Sequence, residues 1–309
     1  MKPSVSVIIS TQNRAGSLQD TLNSLAGVEV PQGWEAELIV VDNGSTDDTR
    51  NVVLGQPSRP EIPSLYVYEA RPGKSRALNT ALGKALGNVL LFTDDDVRFP
   101  PNWISGMCSP IIKGRAEIVQ GGIRWAPQLL TLCKSYRYLP RIITSTDHKS
   151  KGELAIALIG ANMALHRSAF QVVGGFDEQL GPGALGLAEE TLVGWQLAQR
   201  GFRRLAAFDV QVEHHFDRRR LTRRGLLELA EKRGRSLAYI QHHWEHRQES
   251  FLAWNRGTLA LKDFIRTVLS PSAWPNQHLV PEWKFSYRAN RTRLRQFSIE
   301  RRRPPNYSK

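Results

Sequence analysis

The sequence predicts an α/β fold in its first two-thirds, a parallel sheet flanked by helices, followed by a basic and mainly helical extension. Three observations lead there. Short β-branched runs alternate with segments of helical period, the pattern of a parallel sheet with right-handed crossovers. Three of those runs end in polar clusters, Thr11 with Asn13, Asp42 with Asn43, and Asp94 to Asp96, so polar groups converge at the edge where such sheets bind ligands. The formal net charge of +13 falls in residues 216–309, which carry about 21 basic against 8 acidic side chains. Residues 1–215 are neutral on balance, which places a domain boundary between 215 and 216.

Taken in order, Val5–Ser10 is a strand stopped by Thr11-Gln12-Asn13. Leu18, Leu22 and Leu25 then recur at helical spacing, with Ser17 at the cap position. Ala36–Val41 is a second buried strand, stopped by Asp42-Asn43-Gly44-Ser45. Thr46-Asp47-Asp48-Thr49 starts a helix, its acids placed at the positive end of the dipole. Leu65–Tyr68 is a short strand, residues 75–86 are helical, and Val89–Thr93 is an apolar strand running into Asp94-Asp95-Asp96. Further on, Ile118–Ile123 reads as a strand and Leu154–Leu165 as strand-loop-strand around Gly160-Ala161-Asn162. Gly174-Gly175-Phe176-Asp177 and Gly181-Pro182-Gly183 are turns, and 190–200 is a helix closed by Gly201. Asp209–Glu213 is a strand that puts Val210, Val212 and His214 on one face. The extension opens with a helix over 224–244.

Cys108 and Cys133 are too few for a disulfide framework and lack the spaced partners of a zinc site, so reduced thiols and a cytoplasmic location are expected. The first residues do not read as a secretory signal. The longest later apolar stretch, Leu154–Leu165, falls short of the roughly 20 residues needed to cross a bilayer.

The acidic triplet is the sharpest chemical feature. Three carboxylates directly after a buried strand repel one another unless a cation neutralises them. Oxygens from Asp94 and Asp96, on alternate sides of an extended chain, suit Mg²⁺ or Mn²⁺ bridging a diphosphate. A solvated acidic turn is the plain alternative, which the apolar strand before it disfavours.

Five ordered motifs carry a resemblance to the family 2 glycosyltransferases of the GT-A fold, a Rossmann-like nucleotide-binding sheet flanked by helices. They are Val7-Ile8-Ile9-Ser10-Thr11-Gln12-Asn13, Val40-Val41-Asp42-Asn43-Gly44-Ser45-Thr46-Asp47, Gly73-Lys74-Ser75-Arg76-Ala77-Leu78-Asn79, Phe92-Thr93-Asp94-Asp95-Asp96, and Gly160-Ala161-Asn162-Met163-Ala164 through Gly174-Gly175-Phe176-Asp177. The resemblance implies inverting, metal-dependent transfer from a nucleotide-diphosphate sugar, uridine-linked first, to a hydroxyl of a glycan, lipid or envelope precursor. It places Thr11, Asn13 and Asp42 around the nucleotide, Lys74 and Arg76 where donor phosphates pass, and Asn79 behind them. Asp94 and Asp95 would face the donor, and Asp96, Asp94 and His214 would hold the metal, strand alternation favouring His214 over His215. Asn162 and Trp195 fall on the acceptor side. Glu189-Glu190 resembles the family's Glu-Asp pair, which makes Glu190 the expected catalytic base and Glu189 its neighbour. Gln12 departs from a common aromatic, Leu78 from a common arginine, Glu190 from the usual aspartate and Gln196 from a later arginine. The alternative is a non-catalytic nucleotide-sugar or polyanion-binding protein that kept the fold. A nucleotidyltransferase would need more basic residues near the first loop than Arg14 provides.

In the extension, Arg218-Arg219-Arg220, Arg223-Arg224, Lys232-Arg233 and Arg301-Arg302-Arg303 are interleaved with Leu226, Leu227, Ala230, Leu237, Ile240 and Trp244, and later with Trp254, Trp274 and Trp283. Packing of an apolar stripe is the simplest reading. Basic residues with tryptophans also suit peripheral attachment to an anionic membrane face. Nucleic acid is the competing partner for such charge, but the extension holds no recognisable nucleic-acid motif.

Overall fold

A computed structural model describes residues 2–133, 158–249, 252–269 and 280–308, together with Leu139, Ile143, Ser145 and Thr146. The chain divides into two compact units, Met1–Glu178 with Glu189–Phe216, and Gln179–Ala188 with Asp217–Lys309.

The first unit carries one eight-stranded sheet. Its strands are β1 (Ser4–Thr11), β2 (Glu35–Asp42), β3 (Ser64–Tyr68), β4 (Val89–Thr93), β5 (Val97–Arg98), β6 (Ile118–Trp125), β7 (Met163–His166) and β8 (Arg204–His214). They lie in the order β3-β2-β1-β4-β7-β6-β8-β5. Around them stand α1 (Ala15–Leu25), α2 (Thr49–Leu54), α3 (Lys74–Lys84), α4 (Trp103–Ile112), α5 (Pro127–Cys133), α6 (Ser168–Val173) and α7 (Glu189–Gln199). Both faces are covered, so β1 is buried along most of its length. Val5, Val7 and Ile9 pack with Leu18 and Leu22 of α1 and Trp103 of α4. Ile8 turns the other way, to Ala77 and Ala81 of α3 and Val193 of α7.

The expectation of a parallel sheet holds for β1 with β2 and β4, and for β2 with β3. Beyond β4 the sheet is mixed. β7 runs antiparallel to both β4 and β6, and β5 antiparallel to β8, while β6 and β8 are parallel. Antiparallel neighbours need no crossover helix, so the strand–helix alternation in the sequence carried no trace of them. Ser17 is also not a cap. It lies inside α1, where its hydroxyl donates to the Asp95 carbonyl at 2.9 Å. The first half of the expected Leu154–Leu165 element lies outside the described residues; its second half is a single 3₁₀ turn, Gly160–Asn162, leading into β7.

A bulge in β8 decides the far half of the sheet. Gly121 pairs with Ala207 but Gly122 with Gln211, so three residues of β8 stand opposite no partner. A side chain at Gly122 would run into the Phe208 carbonyl, and glycine there lets the strands close around the bulge. Asn162 clamps it. Its Nδ2 donates to the carbonyls of Gly122 at 2.8 Å and Val210 at 2.9 Å, and its Oδ1 accepts from Trp103 Nε1 at 2.8 Å.

The second unit contains α8 (Arg223–His243), α9 (Leu252–Leu269) and α10 (Glu282–Glu300). Thr222 caps α8, its Oγ1 accepting from Gly225 N at 3.1 Å. Gly234 lets α10 approach, since a side chain there would meet the Ala289 carbonyl. Gln179–Ala188 belongs to this unit rather than to the first. Leu187 N donates to Ser236 Oγ at 3.1 Å, and Arg235 Nε to Leu185 O at 3.2 Å. Trp274 and the side chains of Cys133 and Trp254 lie outside the described residues. Among the described residues no helix is long and apolar enough to cross a membrane.

Candidate active site

The acidic triplet leaves β4 and turns at once into β5, whose Val97 pairs with His214 at the end of β8. That pairing brings Asp96 and His214 together, and the ladder is extended by His215 N donating to Asp96 O at 2.7 Å. His214 Nε2 lies 3.1 Å from Asp96 Oδ1, both side chains being buried. Neither ring nitrogen of His214 has hydrogen-bond geometry to a described residue. Asp94, Asp96 and His214 each offer a ligand atom, and these atoms lie within 4.8 Å of one another. His215, by contrast, pairs with Glu213 at 2.7 Å.

Arg14 closes the cluster from the loop after β1. Its guanidinium reaches Asp95 at 3.0 Å and Asp96 at 2.7 Å. Burial would lower the Arg14 pKa, but Asp95 and Asp96 outweigh that and raise it. Thr11 Oγ1 donates to Asp95 Oδ2 at 2.7 Å. Even so, burial pushes the Asp95 carboxyl up to about 6, against Arg14 and with a contribution from Asp96.

The start of α3 supplies the second cation. Lys74 Nζ sits 2.7 Å from Asp94 Oδ1 and 3.6 Å from Glu189 Oε1. Burial would lower this lysine, yet Asp94, Glu189 and Glu190 raise it, so it stays charged. Glu189 is buried at the start of α7; desolvation, then Glu190, push its carboxyl up to about 8 against the pull of Lys74. Glu190 Oε1 accepts from Gly160 N at 3.3 Å, while Oε2 is buried without a hydrogen-bond partner among the described residues. Gly160 fits because the Lys74 ammonium stands 3.3 Å from where its Cβ would be.

The other residues singled out in the sequence divide in two. Asp42 ends β2 beside Thr11, paired with it in register. Its carboxylate is already held by Ser45 N at 2.8 Å and Tyr66 Oη at 2.8 Å. Burial and that bond push the Tyr66 phenol up to about 12. Trp195 is half-buried on α7, its Nε1 without a hydrogen-bond partner among the described residues. Three others are fixed in structural contacts. Asn13, at φ 52°, binds the loop after β2, its Oδ1 accepting from Thr46 N at 2.8 Å and its own N–H donating to Ser45 Oγ at 2.8 Å. Asn79 exchanges two bonds with Phe176, Oδ1 accepting at 2.8 Å and Nδ2 donating at 2.9 Å. Arg76 pairs with Glu178 at 3.0 Å.

Asn162, expected on the acceptor side, is fully buried, with its oxygen and both of its N–H directions engaged in the β8 clamp, so its side chain holds structure rather than presenting free polar atoms. Arg14 is the residue that sequence reasoning undervalued. The sequence places it directly after Asn13, in the polar cluster that ends β1, but its partners on the acidic triplet come from the pairing of β1 with β4.

Metal fits this cluster on two grounds. Four carboxylates, Asp94, Asp95, Asp96 and Glu190, face two cations, Arg14 and Lys74, while Glu189 is pushed toward its neutral form. The buried imidazole of His214 adds a nitrogen donor that has no hydrogen bond among the described residues. Two carboxylates and an imidazole form a hard, mixed O/N set suited to Mn²⁺, with Mg²⁺ served by the oxygens alone.

A Rossmann-like sheet with an acidic triplet at the end of its fourth strand and an antiparallel second half defines a GT-A fold. Solved structures share it: the mannosyltransferase PcManGT from Pyrobaculum calidifontis, in complex with GDP-Man and Mn²⁺, superposes with TM-score 0.63 at 18% identity, over 97% of this chain and 87% of that one. Residues 1–349 of S. aureus TarS in complex with UDP give 0.54 at 18% identity, over 98% and 92%. The family model described as glycosyl transferase family 2 matches residues 6–174, more than half of the chain. The chain belongs to that family. It is 28% identical over 123 residues to glycosyltransferase AglE of Haloferax volcanii, covering 40% of each chain. It is 30% identical over 119 residues to glucosyl-3-phosphoglycerate synthase of Mycobacterium tuberculosis, covering 36% of this chain and 34% of that one. Against succinoglycan biosynthesis protein ExoM of Rhizobium meliloti it is 34% identical over 113 residues, 36% of each. The chain thus spans well under half the length of the curated relatives it matches.

Proposed function

We propose that this chain transfers a sugar from a nucleotide-diphosphate sugar, UDP-linked, to an acceptor hydroxyl with inversion at the anomeric carbon. The carrying observation is the joining of two sites in one cluster: the Asp94–Asp96–His214 ligand set, and the Glu189-Glu190 pair, with Lys74 touching both Asp94 and Glu189.

Asp96, Asp94 and His214 would hold Mn²⁺, which when bound neutralises the donor diphosphate and makes it a better leaving group. Lys74 supports that charge from the start of α3, and Arg14 keeps Asp95 and Asp96 in place. Thr11, Asn13 and Asp42 frame the nucleotide at the ends of β1 and β2, Asn13 and Asn79 by holding loops. Glu190 is the general base. Burial and the neighbouring Glu190 favour the protonated form of Glu189, which leaves Glu190 to take the acceptor's proton. The unpartnered Oε2 of Glu190 takes the proton of the acceptor hydroxyl as its oxygen attacks C1 opposite the diphosphate. Trp195 stands on the same helix to stack against the acceptor. A glycan or lipid-linked acceptor fits this reading, as does a cytoplasmic site of action at a membrane face.

A panel of nucleotide sugars incubated with Mn²⁺ tests this, with the product anomer read by proton NMR. One donor should be slowly hydrolysed and transferred with inverted configuration. Tight donor binding with no turnover for any acceptor would make the chain a nucleotide-sugar binding protein instead.

A further inference from the structure

The outer face of α9 takes no part in the chemistry above. Leu261, Phe264, Ile265, Val268 and Leu269 recur at i, i+3, i+4, i+7 and i+8, one face of the helix, and are between 46% and 77% exposed. The other side of α9 is anchored. Leu259 packs on Ala238, Leu294 and Phe297, and Asp263 accepts from Lys284 Nζ of α10 at 2.7 Å. Single apolar residues on a surface are ordinary, but five in a contiguous stripe mark a contact face.

Its surroundings identify the partner. Lys262 and Arg266, four residues apart, are exposed and line the groove toward α10, on the flank of the helix next to the stripe. Residues 217–309 hold about 21 basic against 8 acidic side chains. A second copy of so cationic a unit would be repelled, whereas an anionic surface is complementary. In the groove between α9 and α10 stand Trp283 and Tyr287, amphipathic rings with the Lys284 ammonium 5.5 Å and 5.3 Å from their centres. An exposed apolar stripe flanked by a groove that carries basic and aromatic side chains is the make-up of a helix lying in the plane of a membrane interface. No described helix is suited to span the bilayer.

We propose that α9 lies in the headgroup boundary of an anionic bilayer, with Leu261, Phe264, Ile265, Val268 and Leu269 immersed and Lys262 and Arg266 at the lipid phosphates. The inference is independent of the transfer reaction, because vesicle binding is read without turnover.

The test uses the full chain with phosphatidylcholine vesicles, with and without phosphatidylglycerol. Wild type should sediment with the anionic vesicles and weakly with the neutral ones. Phe264→Ser with Val268→Ser keeps every charge and alters only exposed positions, so its thermal unfolding should match wild type while vesicle affinity falls about tenfold or more. Phe264→Trp should shift its fluorescence to the blue on binding. Equal vesicle binding by wild type and the double serine variant would overturn the proposal, leaving charge alone as the cause. So would stripe-dependent dimers in light scattering without vesicle binding, which would make the face a protein contact.

Discussion

Replacing Asn162 by alanine should cost far more stability than an ordinary polar substitution. The side chain is fully buried and makes three hydrogen bonds, to Trp103 Nε1, Gly122 O and Val210 O. Its loss strands the indole N–H in the core, at about 1–3 kcal/mol. The two carbonyls retain other acceptor capacity, and together with the small void contribute about another 1–2 kcal/mol. The sum, about 2–5 kcal/mol, is a large share of the roughly 5–15 kcal/mol that holds a typical domain together. Asn162→Asp is the sharper probe. It keeps an acceptor for Trp103 but replaces both donations with repulsion between oxygens and buries a charge, so it should destabilise at least as much as alanine. Urea unfolding followed by circular dichroism measures both, provided the slope is unchanged. Because the clamp fixes the bulge in β8, the strand that ends in His214, stabilisation by Mn²⁺ should fall in both variants. A loss below about 1 kcal/mol in each would refute the clamp.

Glu190→Gln should lower transfer by about 10²–10⁴-fold with little change in donor KM; near-normal transfer, with loss instead in Glu189→Gln, would reverse the two roles. Glu189 has a folded pKa of about 8 against an ordinary value of 4.5, so the folded state keeps a proton that the unfolded chain releases. Its contribution is therefore full at low pH and lost as pH rises toward 8. Glu189→Gln should flatten the fall of Tm between pH 5 and 8, and parallel Tm curves would contradict this. Gly175 sits at φ 124°, and a Cβ there would lie 2.7 Å from Asn79 Oδ1. Gly175→Ala should cost about 1–3 kcal/mol in calorimetry, and an unchanged Tm would show that the turn yields freely.

Much of the site could be read from the chain because the parallel half of the sheet is local in sequence. Each of β1, β2 and β4 is a buried run ending in polar residues, so Thr11, Asp42 and Asp94 were placed at one edge from pattern alone. His214 was legible for a similar reason, since Val210, Val212 and His214 alternate to the buried face of β8. What escaped depended on long-range pairing. The antiparallel strand β7 and the three-residue bulge in β8 leave no periodic signature, so Asn162, the residue that satisfies the bulge, looked like part of an acceptor loop. Arg14 likewise gains its meaning only when β1 and β4 lie side by side. The stripe on α9 escaped too, because its helical period marks an apolar face without saying whether that face is covered.

Direct titration of Mn²⁺ into the protein, followed by electron paramagnetic resonance with UDP present, bears most closely on the site. Wild type should bind one ion, while Asp96→Asn and His214→Gln should each bind it at least about tenfold more weakly. Their unfolding without metal should stay cooperative. Undiminished Mn²⁺ binding in both variants would contradict the assignment of Asp94, Asp96 and His214 as a metal site, and with it the account of donor activation built on it.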